Sequence, residues 1–130
     1  MEDALTTKFL YAALLGQTDT LIMLIDNGAN INMKNDSGNT ALIFAANEGH
    51  TDIVAILIDK GADINLKNND GRTPLMCAAT FGHTDTAAIL IDKGADVNAK
   101  DNNGKTASML AKEQGHTDIA NLLIAKGAEE

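Results

Sequence analysis

Histidine recurs at a fixed spacing, so a metal site is the first hypothesis to consider. His50, His83 and His116 follow one another at a constant interval along the chain. Imidazole is a common zinc ligand, with ligand-to-zinc bonds of about 2 Å, whereas packed helices lie about 8–10 Å apart. If each histidine belongs to its own helical unit, neighbouring rings are too far apart to share one ion. The spacing therefore disfavours a metal site.

Asparagine and aspartate make a calcium loop a second hypothesis. The stretches that begin at Asp63 and Asp96 open like such a loop, with Asn65 at the third position of the first stretch. The fifth position, where an oxygen ligand is needed, is Lys67 or Lys100. The glycine comes at the ninth position instead of the sixth, and no glutamate stands at the twelfth. We therefore reject calcium binding.

Two columns of aspartates and one cysteine are the remaining candidates for catalysis. The aspartates are Asp19, Asp52, Asp85 and Asp118, and Asp26, Asp59 and Asp92. Paired carboxylates can act as acid and base, but a solvated face with negative charges at helix starts explains both columns. Cys77 stands where other units have Phe44 and Tyr11, which indicates a buried core thiol. Because no catalytic or phosphate-binding motif is present either, we expect no enzyme activity and no cofactor.

These residues all belong to one repeated unit that accounts for the chain of 130 residues. The four copies span residues 3–35, 36–68, 69–101 and 102–130. They form one predicted domain in which the first and last copies act as caps.

Each unit carries the signals of two helices. In the second unit Thr40 is expected to cap the first helix, and Gly49 to end it. Thr51 is then expected to cap a second helix that stops at Gly61. In the third unit Pro74 strengthens the first signal, because proline suits the first helical position.

The two end units depart from this pattern. In the last unit Ser108, Lys112 and Asn121 replace a leucine and two alanines, which suits a layer with no neighbour beyond it. In the first unit Leu5 replaces the turn glycine. We therefore expect polar end layers and a monomer.

The motif T-P-L-x-x-A-A at Thr73 and the closing G-A-D-x-N at Gly94, repeated with a period of about 33 residues, resemble the ankyrin repeat. The resemblance implies an all-α solenoid of four helix–turn–helix units joined by short β-hairpin loops. It also implies that each Gly-His histidine bonds the backbone of a neighbouring unit. The histidine of T-P-L-H is absent, and Ile43, Met76 and Met109 take its place.

The resemblance further implies a non-catalytic protein–protein interaction module that binds on its concave face and hairpin tips. Positions there that vary between units are the candidate partner-binding residues. They are Asp36, Ser37, Asn39, Asn47, Glu48 and Lys67 in the second unit, Asn69, Asp70, Arg72, Met76, Thr80, Phe81 and Lys100 in the third, and Asn102, Asn103, Lys105, Glu113 and Gln114 in the fourth. Phe81 has two interpretations, an exposed binding anchor or a side chain folded over the next unit.

Composition limits the class of partner. The formal net charge is −8 and there are four aromatic residues, which disfavours nucleic acid despite the lysine column Lys34, Lys67 and Lys100, and disfavours anionic membranes. No apolar run is long enough to span a membrane and no secretory signal is visible, so we expect a soluble, cytoplasmic protein. A regulatory or inhibitory subunit that masks an enzyme or toxin is the alternative function. It uses the same surface, and the partner's identity stays open.

Overall fold

The computed structural model describes residues 3–128, in which eight helices form four antiparallel pairs. The pairs are α1 (Ala4–Leu15) with α2 (Thr18–Asp26), α3 (Ala41–Glu48) with α4 (Thr51–Asp59), α5 (Pro74–Thr80) with α6 (Thr84–Asp92), and α7 (Ala107–Glu113) with α8 (Thr117–Ala125). The first helices α1, α3, α5 and α7 pack side by side along the array, and α4, α6 and α8 form a second row. The predicted all-α repeat fold is confirmed.

Alanines let the first helices approach closely. Ala41, Ala45 and Ala46 of α3 are all completely buried, as expected for small side chains at a helix–helix contact. The second row contributes larger apolar side chains, among them Ile53 and Leu57, to the same continuous core. The core therefore runs the length of the array instead of forming a single centre.

Threonine begins three of the first helices, as the sequence predicts. The side-chain oxygens of Thr40, Thr73 and Thr106 each accept a hydrogen bond from the backbone N–H three residues later, at 3.2, 3.3 and 3.3 Å. Each bond satisfies a donor that the first turn of a helix leaves unpaired. These positions fix where the first helices start.

The second helices start differently, and the prediction that Thr51 caps α4 is wrong. His50 occupies the cap position without a side-chain capping bond, and Thr51 is the first helical residue. The connection is only two residues long: Gly49, left-handed at φ 70°, ends α3, and His50 is then the cap position of α4. The Thr51 hydroxyl instead lies 2.9 Å from the Thr86 hydroxyl of the next unit.

The first unit has a longer first helix in place of a turn. Helix α1 has 12 residues, and the Asp3 side chain caps it by accepting from the Thr6 N–H at 2.7 Å. That hydrogen bond holds the pKa of Asp3 below its usual value. In the second unit the equivalent of Leu5 is Gly38, whose φ of 78° lies in the left-handed region. A leucine resists that conformation, so the turn is replaced by helix.

Each connection between units contains a tight turn. In the first connection the Gly38 N–H donates to the Asn35 carbonyl at 2.9 Å, and the Asn35 N–H donates to the Asn39 carbonyl at 3.1 Å. This is the bonding of a three-residue hairpin loop with a bulge glycine. No β-strand extends from it within residues 3–128, so the hairpins implied by the resemblance are short turns.

The last unit is polar on its outer side, with one exception. Lys112 and Asn121 are exposed, as expected for an end layer. Ser108 is not, because only 1% of its surface is exposed. No described unit lies beyond it, so its burial comes from its own unit and the preceding one. The expectation that Ser108 faces solvent is therefore wrong.

Candidate functional site

Five large apolar side chains among the described residues, Leu5, Tyr11, Leu15, Phe81 and Met109, are exposed on the first helices or at their ends, and three of them are more than half exposed. Tyr11, Leu15 and Phe81 expose 54%, 60% and 55% of their surface. Leu15 and Phe81 are equivalent positions in their units, and Tyr11 lies one helical turn before Leu15 on the same side of α1. We call the surface formed by these positions and their equivalents Phe44 and Glu48 the first-helix face.

Sequence reasoning identified Phe81 on this face but missed Tyr11 and Leu15. The position shared by Tyr11, Phe44 and Cys77 is predicted to be a core position, and for Cys77 it is, with 4% exposed. Phe44 at the same position is half-buried and packs against the core, whereas Tyr11 lies in the first described unit, where a first helix packs on one side only. The position of Tyr11 in the first unit was the available signal.

Tyr11 and Phe44 also border a shallow depression of about 150 Å³ between the first two units. Its other walls are Thr7, Leu10 and Leu14 of α1 and Asn35 of the first turn. An enclosed apolar cavity of about this volume accepts a benzene-sized group, and this depression, which is open on one side and mostly apolar, offers comparable space. The depression can therefore hold one bulky apolar side chain.

The predicted residues at the turn tips are exposed, but two of them also connect the units. Asp36, Ser37, Asn69, Asp70, Asn102 and Asn103 are all exposed. The Asn69 side chain donates to the Asp36 carbonyl at 2.9 Å, and the Asn102 side chain donates to the Asn69 carbonyl at 2.8 Å. These bonds hold neighbouring turns in register.

The predicted cationic residues are largely engaged within the molecule. Lys67 donates to the Lys100 carbonyl at 2.9 Å, and Lys100 is exposed. Arg72 lies 3.8 Å from the buried carboxylate of Asp101. Lys105 forms an exposed ion pair with Glu113.

The remaining predicted residues divide between surface and interior. Glu48 and Gln114 are exposed, and Thr80 is half-buried and donates to the Met76 carbonyl at 2.9 Å. Met76 itself is only 1% exposed, so it belongs to the core and offers no contact surface. Because the first helices pack on both sides of a middle unit, this position is covered there.

Two predicted asparagines lie partly inside the array. The half-buried Asn39 side chain accepts a hydrogen bond from Asn68 at 2.9 Å. Asn47 is also half-buried, and its side-chain oxygen is buried without a hydrogen-bond partner among the described residues. The Asn39 side chain therefore connects two units, whereas Asn47 does so through its carbonyl, which lies 2.8 Å from His83 Nε2.

Two of the three histidines, His50 and His83, connect neighbouring units. His50 Nε2 lies 2.9 Å from the Leu14 carbonyl, and His83 Nε2 lies 2.8 Å from the Asn47 carbonyl. Since a carbonyl only accepts, Nε2 carries the proton in both rings. This confirms for His50 and His83 the interpretation that they bond the backbone of a neighbouring unit, whereas His116 makes no such bond among the described residues. In residues 3–128, no three histidine, cysteine or acidic side chains are grouped as a metal site.

Cys77 is a structural thiol. Burial raises its pKa to about 12, and the positive charge of Arg72 opposes this only in part. The thiol is therefore protonated at neutral pH, and the thiolate is the reactive form. Cys77 is unsuited to nucleophilic catalysis.

Comparison with known families agrees with this architecture. The family model for ankyrin repeats, which describes three copies, matches residues 9–101 and again residues 68–130. A search of curated proteins found no match. Among the described residues, no helix has the length and apolar character needed to cross a membrane. Since the matched residues cover nearly the whole sequence, the chain belongs to the ankyrin repeat family.

Proposed function

We propose that this chain is a non-catalytic module that binds a partner protein on its first-helix face and adjoining turns. One observation carries the proposal: Tyr11, Leu15 and Phe81 are large, apolar and more than half exposed. The fold does not require apolar groups at the position of Leu15 and Phe81, because Glu48 and Gln114 occupy it in the other units. Aromatic side chains are enriched among residues that dominate binding energy.

The proposed module comprises all four units as one domain, with residues 3–35 and 102–130 as its caps. Each unit contains one helix pair. The first helices form a continuous row, so a partner can contact several units at once.

The test is affinity capture from the source organism with matched variants. Leu15→Ala/Phe81→Ala removes two exposed apolar groups from the first-helix face. Met23→Ala is the control, because Met23 is similarly exposed at 48% but lies on α2. We expect a protein that the wild type and the control capture and the double variant loses.

Capture that is indifferent to the double substitution would refute the proposal. If the captured protein is an enzyme or toxin whose activity falls on binding, the module is an inhibitory subunit. The variants remain interpretable because truncating exposed side chains has little effect on stability. For Phe81→Ala we expect a change of less than about 1 kcal/mol in the free energy of unfolding, whereas a buried phenylalanine loses about 3–5 kcal/mol. A urea melt measures the difference.

A further inference from the structure

We infer that the partner segment on the first-helix face is an amphipathic α-helix with a basic residue between two bulky apolar residues, at seven-residue spacing. The inference rests on the proposed function, because it specifies what kind of protein segment this face receives. It comes from the order of side chains along one column of equivalent positions.

That column contains one residue from each unit. Leu15, Glu48, Phe81 and Gln114 occupy the same position in the four successive units. The first three are exposed on neighbouring units whose first helices pack together. Packed helices lie about 8–10 Å apart. The face therefore presents an apolar, an acidic and an apolar group at intervals of about 10 Å.

An α-helix matches this interval with one side. Seven residues of helix advance about 10 Å and complete nearly two turns, so positions i, i+7 and i+14 point the same way. A β-strand covers about 10 Å in three residues. Because successive side chains of a strand alternate between its two sides, residue i+3 would point away from the surface when residues i and i+6 point toward it. A polyproline II segment also repeats its side every three residues, at intervals of about 9 Å, but its intervening side chains point about 120° away. Only the α-helix combines the three residues facing the column with further side chains on the same side.

Charge determines the middle residue of the partner. Glu48 is exposed and has no ion pair with any residue from 3 to 128. Among the predicted cationic residues, Arg72 and Lys105 form ion pairs with other residues and Lys67 donates to a carbonyl. The chain as a whole carries a net charge of −8. A lysine or arginine opposite Glu48 is therefore complementary.

A second contact lies one helical turn before the column. Tyr11 and Phe44 precede Leu15 and Glu48 by four residues and border the depression of about 150 Å³. A bulky apolar side chain three or four residues from the one that meets Leu15 lies on the same side of the partner helix. It can enter the depression, which makes the partner helix amphipathic.

The experiment uses two displayed peptide libraries of equal peptide length, panned on the full chain. The first has an alanine-rich helical frame that is long enough to include positions i to i+14 and is randomised at the side that would contact the column. The second is fully random. Both are counter-selected against Leu15→Ala/Phe81→Ala. We expect the first library to yield peptides with the apolar, basic and apolar residues at i, i+7 and i+14, and circular dichroism to show helix in the complex.

A charge reversal tests the middle position. For a selected peptide with lysine at i+7, Glu48→Lys should weaken binding about three- to tenfold, as expected when an exposed ion pair becomes a repulsion. Exchanging the peptide lysine for glutamate should restore binding to this variant. Phe81→Ala should weaken binding about tenfold or more, and Met23→Ala should leave it unchanged.

The outcomes separate the two proposals. Peptides that need Leu15 and Phe81 but bind in an extended form, or without the basic residue, would overturn the helix and leave the proposed function standing. If neither library yields a peptide that depends on Leu15 and Phe81, both proposals fail. Unchanged binding to Glu48→Lys would overturn the assignment of the basic residue.

Discussion

Ser108 occupies a leucine position of the core, and replacing it should stabilise the protein. The equivalent Leu42 and Leu75 are 2% and 1% exposed, and Ser108 is 1% exposed. Its hydroxyl has no hydrogen-bond partner among the described residues. Ser108→Ala removes the unpaired polar atom without adding bulk, and Ser108→Leu restores the side chain of the middle units.

The magnitudes follow from these two changes. A buried, unpaired hydroxyl costs about 1–3 kcal/mol, so Ser108→Ala should raise the free energy of unfolding by about 1 kcal/mol or more. Burying a whole leucine side chain contributes about 1.5–3 kcal/mol. Where the last unit has closed around the serine, overpacking costs about 1–3 kcal/mol and offsets that gain. Alanine is therefore the cleaner variant.

The assay is urea unfolding followed by circular dichroism. With a slope of about 1–3 kcal/mol/M, a gain of about 1 kcal/mol moves the midpoint upward by about 0.3–1 M at unchanged slope. Since each unit contacts only its neighbours, Ser108→Ala should slow backbone hydrogen exchange, relative to the wild type, mainly in α7 and α8. Ser37→Ala is the control, because Ser37 is exposed at a turn tip. A lower midpoint for Ser108→Ala would refute the reasoning by showing that the hydroxyl is satisfied in solution.

Three further outcomes are expected. Burial raises the pKa of Cys77 to about 12, whereas the thiol of an unfolded chain has a pKa of about 8.5. Between these two pH values the unfolded chain binds fewer protons than the folded chain, so the free energy of unfolding should fall as the pH rises. An equal fall in the Cys77→Ala variant would contradict this. Gly82 and Gly115 both have φ 77°, but a Cβ at Gly82 would lie 2.7 Å from His116 Cε1 and one at Gly115 would meet nothing within 4 Å. In urea melts Gly115→Ala should therefore cost the strain of about 1–2 kcal/mol and Gly82→Ala more, and equal costs would show that the ring moves aside freely. Sedimentation should find a monomer, and a dimer that Lys112→Glu dissociates would make the end layer an interface.

Local signals predicted most of the fold. Thr40 and Thr73 begin helices because their hydroxyls satisfy backbone donors three residues on, and this chemistry is readable from the sequence. The error at Thr51 has a different origin, because His50, which has no capping side-chain bond, occupies the cap position and Thr51 is already helical. Whether a hydroxyl caps a helix or bonds Thr86 of the next unit depends on contacts between units, which a local pattern does not contain.

The surface was less predictable than the helices, because equivalent positions in different units can differ in how much of the side chain is exposed. Ser108 and Met76 were both expected at the surface, and each is 1% exposed. Polarity suggested the first, and an expected place beside an exposed Phe81 suggested the second. Tyr11 was expected in the core and is exposed. In each case burial follows from what stacks on the unit, which is a property of the array.

Variation between units is therefore an incomplete guide to a binding site in this fold. Asn69 and Asn102 belong to the variable set, yet their side chains bond the backbone of the preceding turn, so replacing them affects the register of the units as well as any partner. Glu48 and Phe81 are variable, exposed and without such bonds. A residue can be changed to suit a partner at little cost in stability only under two conditions. Its position varies between units, and its side chain makes no contact that holds neighbouring units together. The column through Glu48 and Phe81 meets both, so the proposed recognition of a partner is assigned to the ends of the first helices rather than to the turn tips.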